Sequence, residues 1–457
     1  MNLAERFSRY AAGLRYEDLT PEAVHEAKRR LLDSLGCAMG ALHSDPARIA
    51  RELAKTVTGG EGYAATVIGT GHRTSPEMAA FANGVLFRYL DYNYTYLSKE
   101  PAHPSDNLAA VLAVAEPTGA SGRDVITAAV LAYEIQCRLC DAYSIRAQGW
   151  DHVTYGSFST SLAAGKLLGL DEAGLTHAQG IAATAHNAMR QTRVGMLSHW
   201  KGCAFANASR NGVFAALLAK LGMTGPAPIF EGEMGFFKEV ARGAFDVPVL
   251  GALDGPYMIN RSYIKFWPAE YHSQSAIDAA LQLRERVGDA SGIRSVVVET
   301  FKASYEIIGS EPEKWRPTTR ETADHSLPYC VAVALREGDV TLDSFEDAHL
   351  RDDESLDLVA RVEVKHDPAL DPGYPEGIPN RLTVRTADGG SHTCEVSFPR
   401  GHAKNPMTDE EVVKKFRSMA DRVLTERAAL EIIDRCMGLE RESDVRALLA
   451  LFAEARA

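Results

Sequence analysis

Asp91, Thr95, His103, Ser105, Asp106 and Asn107 crowd into one stretch, YLDYNYTYLSKEPAHPSDNLAAV, between runs of apolar residues. Histidine changes charge near neutrality and a neighbouring carboxylate can orient it, so such a segment can hold an acid–base pair. A solvated loop of helix-capping residues would have the same composition, and the residues alone leave the two readings level. Further islands set cations or histidines among aromatics and glycines. GWDHVTYG carries His152, and RQTRVGMLSHWKG carries Arg190, Arg193, His199 and Lys201. SYIKFWPAEYHSQSA carries Lys265, Glu270 and His272, and TADHSLPYCVAVAL carries Asp324, His325, Ser326 and Tyr329. Any one of them alone reads as an ordinary surface loop.

The charge balance narrows the ligand. Formal net charge is -12 over 457 residues, which argues against a nucleic-acid or anionic-membrane partner, since these need a clustered basic face. An acidic protein that binds a polyanion must concentrate a few cations inside its pocket. The first thirty residues carry charges throughout and lack the apolar core of a secretion signal, so a cytoplasmic protein with reduced thiols is expected. No apolar run approaches the length of a membrane span. Cys137 and Cys140 form a C-x2-C pair that reads as two small residues on an apolar helix, and the other five cysteines are scattered singly. With no second such pair and no H-E-x-x-H, neither iron–sulfur cluster nor metal is expected. Gly165-Lys166 lacks the remainder of a phosphate-binding loop, no G-x-S-x-G elbow occurs, and the Asn93 glycosylation sequon has no use without export.

The scaffold for these groups reads as two kinds of structure. Up to about residue 260 the pattern is helical. Thr20-Pro21 caps a helix running to residue 42, followed by helices over 78–90, 107–115, 122–143, 156–168, 176–186 and 204–221. Their Ala, Leu and Gly content suits close packing and burial on all sides. After Trp267-Pro268 the texture changes. A helix over 273–286 precedes strands over 293–301 and 358–367, a hairpin over 381–398 turns at Asp388-Gly389-Gly390, and helices lie over 322–336 and 344–348. Thr408 and Glu411 then form a capping box, and amphipathic periodicity continues almost to the end. The arrangement predicts a mainly α protein: a large all-helical domain from residues 1–266 and 403–457, with a smaller α+β lid domain from residues 267–402.

Taken in order, a series of segments resembles the MmgE/PrpD family over nearly the whole chain. They include PEMAAFANGVLFRYLDY, HPSDNLAAVLAV, WKGCAFANASRNGVFAALLA, GPAPIFEGEMGF, KFWPAEYHSQSAIDAA, TADHSLPY and GHAKNPMTDEEVVKKF. That family includes 2-methylcitrate dehydratase, cis-aconitate decarboxylase and iminodisuccinate epimerase. The resemblance implies the same helical-plus-lid fold, a homodimer, a small tricarboxylate substrate, and neither metal nor organic cofactor. Carried over by motif, it implies Asp91, Thr95 and His103 as site residues from the polar segment. His152 follows from W-D-H-V-T, Lys201 from W-K-G, Lys265 from I-K-x-x-P-A and Tyr329 from H-S-x-x-Y. HPSDN and PAEYHSQSA look most like the dehydratase branch, so the implied activity is a hydro-lyase acting on 2-methylcitrate, with citrate as a second candidate. Two departures bear on the substrate more than on the chemistry. The usual D-x-N-D-T reads D-Y-N-Y-T here, and the segment from Asp91 to His103 is longer than in decarboxylase-like members.

Dehydration of a β-hydroxy acid removes a weakly acidic proton beside a carboxylate and expels hydroxide. Cations gripping that carboxylate stabilise the developing charge, a role expected of Lys201 and Lys265. Departing hydroxide must be protonated, and His103, assisted by Asp91, is the expected acid. His152 is the expected α-proton base, with exchange of the two histidines as the alternative, and Thr95 and Tyr329 are expected to hold substrate oxygens. Decarboxylation or isomerisation would use a similar set of residues. A non-catalytic tricarboxylate-binding protein would not need the histidines, and a metal-dependent lyase lacks its ligand pattern.

Overall fold

Alanine and glycine permit helices to approach one another closely, and the N-terminal half of the chain does so repeatedly in the computed structural model, which describes residues 1–195, 197–251 and 255–455. Among these residues the protein is mainly α, with a smaller α+β part. It divides into two units, Met1–Ser262 with Thr408–Ala457, and Tyr263–Met407. Among the described residues no helix is long and apolar enough to cross a membrane.

The first unit begins with α1 (Leu3–Gly13), α2 (Pro21–Gly40) and α3 (Asp45–Lys55), followed by a two-residue pairing of β1 (Ala65–Thr66) with β2 (Arg73–Thr74). It continues with α4 (Pro76–Arg88), α5 (Asn107–Thr118), α6 (Gly122–Ala142), α7 (Gly156–Leu167), α8 (Glu172–Ala185) and α9 (Trp200–Lys220). The start of α2 follows the sequence: the Thr20 hydroxyl accepts from the Ala23 amide and Pro21 opens the helix. Residues 107 to 116 of α5 are all buried, which is why that segment shows no polar face. Helices α4, α7 and α9 meet almost backbone to backbone. A Cβ at Gly84 would lie 2.9 Å from the Ala206 methyl, and one at Gly212 would lie 1.9 Å from the Thr160 hydroxyl. Helix α9 starts four residues earlier than periodicity suggests, because its first turn is polar and aromatic rather than apolar; Lys201 sits in that turn.

The second unit holds α10 (Gln274–Val287), β3 (Ile293–Thr300), α11 (Leu327–Glu337), β4 (Val362–His366), β5 (Asn380–Thr386) and β6 (Ser391–Val396). Its sheet has the order β4-β3-β5-β6, with only the β3/β4 pair parallel. Ile293, Val296 and Val298 of β3 join Ile277, Val333 and Leu382 in one apolar core. The hairpin turns as expected, the Thr386 amide donating to the Gly390 carbonyl. Three expectations fail. The helix placed over 344–348 is two short turns, Asp343–Phe345 and Asp347–Leu350. The strand placed over 358–367 begins only at Val362, because Asp352 caps a short helix, Asp353–Val359. The helix placed over 322–336 breaks: Pro328 has no N–H to donate, so it is tolerated only in a first turn, and the chain restarts at Ser326, whose hydroxyl accepts from the Tyr329 amide. The break displays Asp324 and His325.

The chain then returns to the first unit through α12 (Asp409–Ala420) and α13 (Glu426–Met437). Thr408 and Glu411 form the expected capping box, but the helix stops at Ala420 and a new cap at Thr425 starts the next. Lys415 of α12 is buried beside Asp33 of α2 at 2.7 Å and donates to the Tyr92 carbonyl at 2.8 Å. The C-terminal helices thus brace the polar segment from behind.

Candidate active site

The segment between α4 and α5 is not a solvated loop: Asp91, Asn93, Tyr94, Thr95 and Asp106 are all buried. It doubles back through paired bonds, the Tyr96 amide donating to the Ala102 carbonyl at 2.8 Å and the Ala102 amide returning at 2.9 Å. That reversal brings His103 beside Tyr94 and Thr95. His103 Nδ1 donates to the Tyr94 carbonyl at 2.8 Å, with Thr95 Oγ1 at 3.2 Å from the same nitrogen. Arg88 Nη2 donates to His103 Nε2 at 3.1 Å. A carbonyl only accepts and a guanidinium only donates, so both contacts specify a neutral imidazole protonated at Nδ1.

Arg88 also pairs with Asp91, whose second oxygen lies 3.5 Å from Lys201 Nζ. Asp91 adopts a left-handed φ of +51°, a conformation that costs a non-glycine residue about 1 kcal/mol. Strain of this kind persists only where surroundings over-determine it, and here two cations grip the side chain. Behind it, Asp106 accepts from the Asn93 amide and lies 3.7 Å from Arg88 Nε. Burial pushes the Asp106 carboxyl up to about 7, against the pull of Arg88 and Arg193.

The second histidine comes from the segment between α6 and α7. Asp151 caps a helical turn, accepting from the Val153 amide, and its carboxylate faces His152 Nδ1 at 2.9 Å and accepts from Arg193 Nε at 2.9 Å. Burial works against this carboxylate, but Arg193 and His152 outweigh it and hold Asp151 well below the usual carboxylate range. His152 Nε2 is buried with no hydrogen-bond partner among the described residues. The rings of His103 and His152 are 5.7 Å apart between centroids. Arg193 Nη1 donates to the Lys201 carbonyl at 3.2 Å, tying this pair to the first turn of α9. The first unit therefore brings together Asp91, Thr95, His103, His152 and Lys201.

Lys265 and Tyr329 belong to the second unit. There the Glu270 carboxylate accepts from the His272 amide and faces its Nδ1, both at 2.7 Å, leaving a buried His272 Nε2 without a partner among the described residues. Asp324 and His325 form a neighbouring pair, and Lys265 is fully buried. Burial opposes ionisation of Glu270, yet His272, His325 and Lys265 hold it down to about 2. Tyr329 does not fit the role expected of it. It is fully buried in the core of its unit, and its hydroxyl donates to the Ser344 carbonyl at 2.7 Å. Helix α11 buries nearly every side from Leu327 to Leu335.

The MmgE/PrpD N-terminal domain matches residues 5–247 and the MmgE/PrpD C-terminal domain matches residues 267–439. The chain belongs to the MmgE/PrpD family. It is 31% identical to 2-methylcitrate dehydratase of Cupriavidus necator, over 88% of this chain and 87% of that protein. It is 30% identical to 2-methylcitrate dehydratase of Escherichia coli (strain K12), over the same shares. It is 26% identical to cis-aconitate decarboxylase of Homo sapiens, over 98% of this chain and 94% of the relative. In this MmgE/PrpD chain the N-terminal match contains His103, His152 and Lys201, whereas Lys265 falls between the two matches.

Sequence reasoning left Arg88, Asp106 and Asp151 out of the candidate site. Asp151 carried a signal, since it immediately precedes His152 and a carboxylate there can both cap a turn and meet the ring. Asp106 stood in the polar segment but offered nothing to separate it from Ser105 or Asn107 as a capping residue. Arg88 carried no signal: it closes an otherwise apolar helix and looks like a C-terminal charge complementing the helix dipole.

Proposed function

We propose that the protein is a hydro-lyase that dehydrates 2-methylcitrate, and citrate as a second substrate, to the cis-aconitate-type product by acid–base catalysis without metal or organic cofactor. The observation that carries this reading is the pair of histidines 5.7 Å apart, one of them with a buried, unpartnered Nε2 and a carboxylate behind its Nδ1. With Nδ1 committed to Asp151, the free nitrogen of His152 holds a lone pair, the state required of the base that removes the α-proton. The Asp151 charge stabilises the imidazolium that results. His103 is assigned to the departing hydroxyl, with Thr95 at its Nδ1 and Asp91 linked to it through Arg88. Lys201, and Lys265 on the strength of the family resemblance, grip the substrate carboxylates and offset the charge that develops as the proton leaves. Tyr329 takes no part in this scheme.

A decarboxylation reading is favoured by one further observation, the near-complete alignment with the human cis-aconitate decarboxylase. Loss of carbon dioxide leaves a carbanion that an acid must protonate, so the same residues would serve. One assay separates the two: purified protein incubated with 2-methylcitrate, citrate and cis-aconitate, following alkene formation and carbon dioxide release in parallel, with and without EDTA. Alkene formation from 2-methylcitrate, undiminished by chelation, is the expected result. Carbon dioxide release from cis-aconitate alone would replace dehydration with decarboxylation, and loss of activity restored by iron would overturn the cofactor-free mechanism.

A further inference from the structure

The geometry points to Arg88 as a positioning residue of this site: its guanidinium locks His103 in the Nδ1–H tautomer and yokes it to Asp91 and Asp106. The kinetic consequence rests on the dehydratase reading above; the tautomer does not. Both terminal nitrogens of one guanidinium are hydrogen-bonded, and its Nε faces a carboxylate at ion-pair distance without a hydrogen bond. Nη2 donates to His103 Nε2 at 3.1 Å, Nη1 pairs with Asp91, and Nε lies 3.7 Å from Asp106. The side chain is almost completely buried, so these partners are not exchanged for solvent. Arginine is the one side chain that supplies several fixed donors and cannot give up its charge, so it cannot invert its contact with the ring by becoming an acceptor. Lysine, a compact point charge on a flexible stem, cannot span three partners at once.

This arrangement has a direct chemical effect. An imidazole in water exchanges its proton between the two nitrogens, and either tautomer would fit a loop position. Here the Tyr94 carbonyl selects the proton at Nδ1, and Arg88 supplies a donor that only a lone pair at Nε2 can meet. His152 is held in the same tautomer by Asp151. At His103, Nε2 therefore starts unprotonated. In this state Nε2 has no proton to give. For His103 to protonate departing hydroxide, Arg88 must first release that nitrogen as a substrate carboxylate draws the guanidinium away. Nε2 must then take up a proton from solvent, which it passes to the leaving oxygen. Arg88 thus links arrival of the anion to readiness of His103.

The test uses the full chain labelled with 15N-histidine, with the His103 signals assigned by their loss in His103→Gln. Long-range 1H–15N spectra should show His103 as the Nδ1–H tautomer in the parent protein. In Arg88→Lys and Arg88→Ala the ring should shift to a mixture of tautomers, while thermal melting reports that the variants are folded. Guanidinium ion added to Arg88→Ala should restore the Nδ1–H signal, which a merely structural loss would not allow. With 2-methylcitrate as substrate, kcat should fall by roughly 100-fold in Arg88→Lys, the scale of a misplaced catalytic group, with a smaller change in KM. Folded variants that keep the parent tautomer and turnover would overturn the proposal. If the parent protein fails to dehydrate 2-methylcitrate, the functional reading falls, and the spectra alone still decide what Arg88 does to His103.

Discussion

Each unit of this protein contains a carboxylate–histidine pair of one design. Asp151 backs His152 in the helical unit, and Glu270 backs His272 in the α+β unit; in both, the outer Nε2 is buried without a partner among the described residues. They differ in what balances the carboxylate. Asp151 is opposed by Arg193, and nearby Asp91 by Arg88, guanidinium groups that stay charged at any accessible pH. Glu270 is opposed by His272, His325 and Lys265, groups that can lose their protons. A carboxylate–histidine pair is thus a common local device. The helical unit adds to it a second imidazole at 5.7 Å and fixed cations that survive proton transfer.

The largest effect expected from breaking this contrast is at His152. Gln keeps much of its size and polarity but cannot cycle a proton, so His152→Gln should lower kcat about 1000-fold or more, or roughly 4 kcal/mol, with binding largely intact. Steady-state kinetics alongside calorimetric binding of the substrate would check this; normal turnover would remove His152 as the base.

A second effect concerns stability. Asp106 is held up to about 7 against an ordinary value of 3.8, so in that window the native state binds more protons than the unfolded chain. Stability attributable to this group is complete at low pH and falls as pH rises from about 4 to about 7, by up to ~4 kcal/mol. Asp106→Asn imitates the neutral acid and should remove this slope, so that denaturant melts of the variant overtake the parent by pH 8. A parent-like slope in the variant would show that Asp106 is not the group that sets it.

Glu270 should show the opposite sign. Held at about 2 against 4.5, it contributes stability that is present above pH 4.5 and is lost as pH falls toward 2, up to ~3 kcal/mol. Relative to Glu270→Gln, the parent should therefore lose its advantage in acid, as read from melting temperatures between pH 6 and pH 3. The smallest effect belongs to Tyr329. Phe at that site deletes one hydrogen bond to the Ser344 carbonyl and leaves the acceptor buried, so about 1 kcal/mol of stability should be lost with kcat unchanged. A fall in kcat would return Tyr329 to the site.

Much of the architecture was legible because it rests on local rules. Thr20-Pro21 and Thr408 with Glu411 cap their helices as expected, and Asp388-Gly389-Gly390 turns its hairpin. The helix breaks at Ser326 and Thr425 were missed, since apolar periodicity runs across both while capping decides where a helix restarts. His103 and His152 were legible as polar islands in an apolar background. Whether the segment carrying His103 was solvated was not, because the groups that bury it come from elsewhere: Asp33 and Lys415 of distant helices pack behind it.

The amino-acid sequence alone determined the class of most elements, the family, and which residue types were available for proton transfer, because caps, periodicity and motif order act over a few positions. Only the tertiary structure decided their partners. Asp91 meets Lys201 across 110 residues of chain, Arg193 reaches back 42 residues to Asp151, and Tyr329 turns into a core instead of toward a ligand. Tautomer, charge state and orientation depend on what lies within about 4 Å of a side chain, and such neighbours come from segments whose meeting no local pattern records.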